Sequence, residues 1–95
     1  MTYKLIFLTA ALREWNKLSS NIQIQFKKKL QERLQSPRIP SAKLGGMADC
    51  YKIKLKSSGY RLVYQVYDER VVVQVIAVGK RDKSIAYNKA KDRLL

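Results

Sequence analysis

The chain has 95 residues, 46% of them hydrophobic, which is enough for one modest core spanning residues 1–95 and too much for a disordered tail. No apolar run approaches the roughly 18–20 residues that cross a bilayer, and no basic leader with an apolar stretch opens the sequence, so a cytoplasmic protein with no membrane partner is expected. With no histidine and a single cysteine, Cys50, the sequence offers no spacing for a zinc, iron or calcium centre and no internal disulfide, while 20 basic against 7 acidic residues give a net charge of +13 that favours polyanionic partners.

In chain order, "TYKLIFL" is β-branched and aromatic with partial alternation, predicting a strand at about 3–8 that meets Thr9, a good helix N-cap. In "TAALREWNKLSS" the apolar residues Ala11, Leu12, Trp15 and Leu18 recur at three and four positions, predicting a short helix that ends near Ser19. From Asn21, Ile22, Phe26, Leu30 and Leu34 recur every four positions and predict an amphipathic helix ending before Pro37, with Lys27, Lys28, Lys29 and Arg33 mostly on its other side. Those lysines read as solvated helix surface or as a track for phosphates. "SPRIPSAKLGGMAD" is then a connecting loop, long for so small a chain.

A strand meander follows, at about 50–57, 60–67 and 70–78, joined by Ser58-Gly59 and by Asp68-Glu69. A two-residue turn at Ser58-Gly59 sets Lys56 opposite Arg61, Lys54 opposite Val63 and Lys52 opposite Gln65. Alternation then puts Lys52, Lys54, Lys56 and Arg61 on one face, and Tyr51, Ile53, Leu55, Leu62, Tyr64 and Val66 on the core face. Opposed like charges cost stability, and an anion between Lys56 and Arg61 would relieve that cost. "VVVQVIAVGK" is apolar on both faces, as in an internal strand, with Gly79 as its end. Helical spacing resumes in "DKSIAYNKAKDRLL", capped by Asp82 or Ser84, with Ile85, Ala86, Ala90 and Leu94 on one face, and Lys89, Lys91 and Arg93 leaving this last helix basic near the site. The predicted class is α+β: a small antiparallel sheet, an N-terminal helical hairpin on one face and a short C-terminal helix. Trp15 reads as a core plug, Cys50 as a small buried residue, and Tyr60, Tyr64 and Tyr67 as core or rim residues.

If the polyanion is RNA and the protein cuts it, the residue inventory favours attack by the ribose 2′-hydroxyl on its own 3′-phosphate, giving a 2′,3′-cyclic phosphate and a 5′-hydroxyl. That reaction needs a base, cations for the charge building on phosphorus, and a proton donor for the leaving oxygen. Lysines crowded by other cations lose protons more readily, so the Lys52 and Lys54 pair is the candidate base. Arg61 is placed to hold the phosphorane, Arg81 to do the same or act as a weak acid, and Tyr87 to stack on a base. Lys56, Lys80, Lys83 and Lys27 to Lys29 are candidate RNA or rRNA contacts. Acids and bases so poorly matched make a slow catalyst unless something outside the chain arranges the substrate. Charge alone is met equally by a non-catalytic sheet that binds RNA or DNA.

The order "ALREWNKL", "FKKKLQERLQSPRIP", "KLGGMADCYKIKLKSSGYRLVYQV" and "VIAVGKRDKSIAY" resembles the RelE family of bacterial toxins over essentially the whole chain. The resemblance implies a small fold shared with some microbial ribonucleases, cleavage of mRNA in the ribosomal A site and little activity on naked RNA, with no cofactor or metal. It places the family's functional lysines on Lys52 and Lys54, its phosphate-binding arginine on Arg61, its general acid on Arg81 and its stacking tyrosine on Tyr87. It further implies an acidic RelB-like antitoxin that wraps the toxin and displaces the C-terminal helix, the pair repressing its own operon on operator DNA; such a partner suits a +13 chain. Two positions depart from the pattern: Gly45, where an arginine is frequent, and Lys83, which keeps the charge of a common arginine without its planar fork. The alternative beside this resemblance is a related toxin of the gyrase-inhibiting ParE type, which shares the fold without this set of cleavage residues.

Overall fold

A computed structural model of the chain describes residues 2–80 and 85–94. The first strand, β1 (Lys4–Phe7), runs straight into helix α1 (Thr9–Asn16). Leu8, extended at φ −62° and ψ 142°, is the N-cap, and Thr9 begins the first turn instead of capping it. The swap follows from the sheet: the Leu8 N–H is already given to Val75 O at 3.0 Å, leaving the chain extended to that residue. Helix α2 (Ser20–Gln35) starts at Ser19, whose hydroxyl accepts from Ile22 N, and Gln23 Nε2 donates to Trp15 O at 2.9 Å, tying the two helices into a hairpin.

The loop after α2 contains a single turn of 3-10 helix (Pro40–Ala42) before β2 (Cys50–Lys54). Strand β3 (Tyr60–Tyr67), a second 3-10 turn (Asp68–Arg70), β4 (Val72–Lys80) and helix α3 (Ile85–Leu94) complete the described chain. Among the described residues no helix is long and apolar enough to cross a membrane.

The sheet runs β1-β4-β3-β2. β2, β3 and β4 form the antiparallel meander, but β1 lies parallel to β4, from Lys4 beside Val72 to Phe7 beside Val75, so the sheet is mixed. That pairing makes β4 the internal strand its two apolar faces predict. The β2–β3 hairpin differs from the predicted register by two residues: Lys54 pairs with Arg61, Lys52 with Val63 and Cys50 with Gln65. A two-residue turn of the kind that suits hairpins needs left-handed φ at its first position, or at both. Here only Gly59 takes it, at +76°, so the chain makes a longer loop in which Leu55 N–H reaches Tyr60 O and Gly59 N–H reaches Leu55 O, each at 2.9 Å. A slip of two keeps the side chains of Cys50 to Lys54 on their predicted faces, whereas Lys56, predicted opposite Arg61, falls in the loop because β2 ends at Lys54. At the other end, the 3-10 turn and Val71 at φ +52° push the start of β4 on to Val72.

Between Val63 and Tyr64 the β3–β4 register shifts: Tyr64 pairs with Val75, Val63 with Ala77, and Ile76 is the extra, bulged residue. Two apolar clusters result, one on each side of the sheet. Beneath α1 and α2, Trp15, Phe26 and Leu30 meet Tyr51, Ile53, Leu62, Tyr64, Val73 and Val75, all buried, with Trp15 seated between Phe7 and Phe26. On the other side Cys50, Val63, Ile76 and Ala77 are covered by Ala86 and Ala90 of α3. Ile85, predicted for that covered face, is instead 37% exposed.

Candidate functional site

The site is built on the α3 side of the sheet, where the meander leaves its charged residues. Lys52 and Lys54 project from β2, the edge strand, on the face shared by Cys50 and Val63. Arg61 stands directly opposite Lys54, and Gly79 of β4 stands directly opposite Arg61. Gly79 does not end its strand, which continues to Lys80. Its role is clearance: a Cβ there would meet Ile85 Cγ2 at 3.3 Å and Ala86 N at 3.5 Å, so the missing side chain is what seats the start of α3 against the sheet. With α3 so seated, Tyr87 stands beside Arg61, which donates from Nη1 to the phenol oxygen at 2.7 Å and holds its guanidinium carbon 5.3 Å from the ring centroid.

The electrostatics are one-sided. Lys54 is exposed, and its ammonium is held below the ordinary lysine value chiefly by the charge of Lys52, then by Arg61, with Lys56 contributing last. Among the described residues, no carboxylate lies within ion-pair distance of Lys52, Lys54 or Arg61. Such a cluster offers dense positive charge with one lysine biased toward losing its proton, which suits binding a phosphodiester and removing a nearby hydroxyl proton. No group of three or more His, Cys, Asp or Glu suited to a metal occurs among the described residues.

The structure thus brings together Lys52, Lys54, Arg61 and Tyr87, with Lys56 in the adjoining hairpin loop. Arg81 and Lys83 lie outside the described residues. Lys80 pairs with Tyr60 on the opposite face, its ammonium 5.7 Å from that ring, and exposed Lys27, Lys28 and Lys29 ride on α2, over that same far side. Gly45 is exposed, with open space where a side chain would stand.

The basic residues of α3 are only partly free for a polyanion. Lys89 donates to Glu14 Oε2 at 2.6 Å, and Arg93 donates to both Glu14 oxygens at 2.8 and 3.0 Å and to Ile76 O at 2.8 Å. Glu14 also accepts from Val78 N at 3.1 Å, beyond the point where β1 ends and leaves β4 unpaired on that side. Burial pushes the Glu14 carboxyl up, but the donors Arg93, Lys89 and Val78 N–H together outweigh it and hold the carboxyl below the ordinary value. Sequence reasoning passed over Glu14; the signal was that it and Glu32 are the only acids before Asp49, and Glu14 adjoins a core tryptophan. Arg33, read as outer helix surface, instead turns back to the sheet and donates to Lys52 O at 3.1 Å and to the Tyr64 hydroxyl at 2.9 Å. At the far end of β3, exposed Arg38 clamps Asp68 at 2.7 Å and Asp49 at 3.0 Å.

Residues 5–85 match the family described as ParE toxin of type II toxin-antitoxin system, parDE. The chain is 62% identical over 95 residues, all of both chains, to the mRNA interferase toxin RelE of Escherichia coli K12. It is 55% identical over 94 residues, 99% of each chain, to a putative RelE-like toxin protein of Escherichia coli. Its fold matches a free double arginine-to-alanine variant of Escherichia coli RelE at a TM-score of 0.92 and 61% identity, with both chains fully covered. It also matches a chain of the intact Escherichia coli RelBE toxin-antitoxin complex at a TM-score of 0.82 and 64% identity, over 85% of this chain and 99% of that one.

Proposed function

The chain belongs to the ParE toxin family of type II toxin-antitoxin systems, and we propose that it is an mRNA interferase of the RelE kind, cutting mRNA in the ribosomal A site and so halting translation. Carrying this reading is the convergence of Lys52, Lys54, Arg61 and Tyr87 on one open sheet face, with no carboxylate among the described residues to neutralise the cations. A neutral lysine of the Lys52 and Lys54 pair takes the 2′-hydroxyl proton as the 2′-oxygen bonds to phosphorus. Arg61 stabilises the added negative charge on the phosphorane. The bond to the 5′-oxygen then breaks, with Arg81 supplying the hydrogen bond or proton that this oxygen needs, to leave a 2′,3′-cyclic phosphate and a 5′-hydroxyl. Tyr87 stacks on a base, and its phenol oxygen holds the Arg61 fork at the phosphate.

Lysine and arginine are poor acid–base partners at neutral pH, so the ribosome is assigned the task of bending the mRNA for in-line attack. The working unit is one domain over residues 1–95, in the cytoplasm, restrained by an acidic RelB-like antitoxin with which it binds operator DNA. Programmed ribosomes with mapped RNA ends test the reading, wild type beside Arg81→Ala. Cuts confined to occupied A sites and lost in the variant, with ribosome binding retained, support it; equal cutting of free RNA, or none in the A site, overturns it. The ParE family match favours a second reading, inhibition of gyrase. A supercoiling assay separates the two, since an mRNA interferase leaves gyrase untouched.

A further inference from the structure

We infer that Arg33 is a positioning residue for Lys52, fixing the exposed edge of β2 so that the lysine's reach toward substrate is constant; this deepens the ribonuclease reading and rests on it. The need arises from topology. β2 is the last strand of the sheet, and with Leu55 N–H bonded to Tyr60 O, alternation turns the peptide groups of Tyr51 and Ile53 toward β3 and those of Cys50 and Lys52 outward. A short edge strand with bare peptide groups frays easily and shifts by fractions of an ångström, a displacement to which catalysis is sensitive.

The outward edge is tied in two ways. Toward its start, the incoming loop pairs with it, Leu44 N–H reaching Cys50 O at 2.9 Å and Lys43 bridging Tyr51. At the next outward carbonyl, that of Lys52, the guanidinium of Arg33 takes the place of a neighbouring strand at 3.1 Å. Arg33 is itself held rigidly. It lies in the last turn of α2, half-buried, with its guanidinium carbon 5.7 Å from the centroid of the Tyr64 ring and a nitrogen 2.9 Å from the Tyr64 hydroxyl. That hydroxyl donates in turn to Pro37 O at 2.6 Å, and Tyr64 is fully buried. One side chain thus couples the end of α2, the core of β3 and the backbone beneath Lys52, although α2 lies on the opposite face of the sheet from the site.

The test compares wild type with Arg33→Met, which keeps an apolar stem over Tyr64 but has no donor, and Arg33→Lys, which can restore the bond to Lys52 O. Two readouts are taken: steady-state cleavage kinetics on programmed ribosomes, and amide hydrogen exchange along β2 in the free protein. Arg33→Met should lower kcat by about tenfold, with KM for the ribosome changed by less than about twofold. It should also speed exchange of the β2 amides without a matching rise in β4, and Arg33→Lys should recover part of both. Unchanged β2 exchange in Arg33→Met overturns the inference, as does faster exchange with kcat unaltered, or a loss confined to KM. A loss of folded protein would raise exchange in every strand and is read as overturning it too. Failure of the wild type to cut in the A site would sink the ribonuclease reading, while the exchange measurement still decides whether Arg33 holds the edge strand.

Discussion

Two clusters of basic residues sit on the α3 side of the sheet and do opposite things. Lys89 and Arg93 converge on Glu14, whose side chain is 16% exposed, and spend their charge holding α3 to α1 and β4. Lys52, Lys54 and Arg61 meet no carboxylate among the described residues; instead the charges of Lys52 and Arg61 hold the Lys54 ammonium below its ordinary value. The contrast teaches that net charge does not locate the site in this +13 chain; what matters is which cations the fold leaves unneutralised. Helix α3 joins the two clusters, carrying Tyr87 to the unpaired one and Lys89 and Arg93 to the paired one, so the ion pairs with Glu14 fix where the tyrosine meets Arg61.

The largest effect should come from the unpaired cluster. Arg61→Ala should cost roughly 10²–10³ in kcat on programmed ribosomes, as expected for removal of a preorganised charge at a developing anion, with the melting temperature unchanged or slightly raised as crowding around Lys54 is relieved. A retained kcat would show that the cluster binds without stabilising the transition state.

The paired cluster should respond in stability. Glu14→Gln should cost about 1–2 kcal/mol, seen as a fall of several degrees in melting temperature, because charge-assisted bonds from Arg93 and Lys89 are lost. The sign of its pH dependence follows from the depressed carboxyl. Its contribution is complete above the ordinary glutamate value of 4.5 and disappears as pH falls through the lower folded value, so wild type should lose stability over that acid range and the variant less. Parallel melting curves from pH 7 to pH 3 check it, and equal slopes would mean that the ion pairs do not hold α3.

The smallest effect tests the bridge between the clusters. Tyr87→Phe keeps the ring and removes one hydrogen bond to Arg61, so kcat should fall only about three- to tenfold, and less than in Tyr87→Ala. Equal damage from the two substitutions in the cleavage assay would assign the hydroxyl a proton-carrying role and detach Tyr87 from stacking.

Much of this arrangement is legible in the sequence because it is local. The four-residue spacing from Ile22 to Leu34 marks α2, alternation from Tyr51 to Val66 marks the core face, and the resemblance of the Asp49–Val66 segment marks the cations. What stays illegible depends on segments far apart in the chain. Nothing in "KLIF" announces a parallel partner in β4, and nothing in Glu14 announces Arg93, 79 residues on. Gly79 reads as a strand end because its function, clearance for α3, exists only after the helix arrives. The hairpin register fails on loop chemistry: "SSG" resembles a two-residue turn, yet only its glycine accepts the left-handed conformation.

The bulge at Ile76 works as a reading-frame shift within β4. Odd-numbered residues, Val73 and Val75, address the α1–α2 core before it, and even-numbered Val78 does so after it. Deleting this one residue would restore an unbroken alternation and exchange the two faces of everything downstream: the position now filled by Gly79 would turn to the inner core, and the bulk of Val78 would lie under the first turn of α3. The cation-bearing and core-facing sides of the sheet are kept in phase by a single surplus amino acid, whose carbonyl is in turn taken by Arg93.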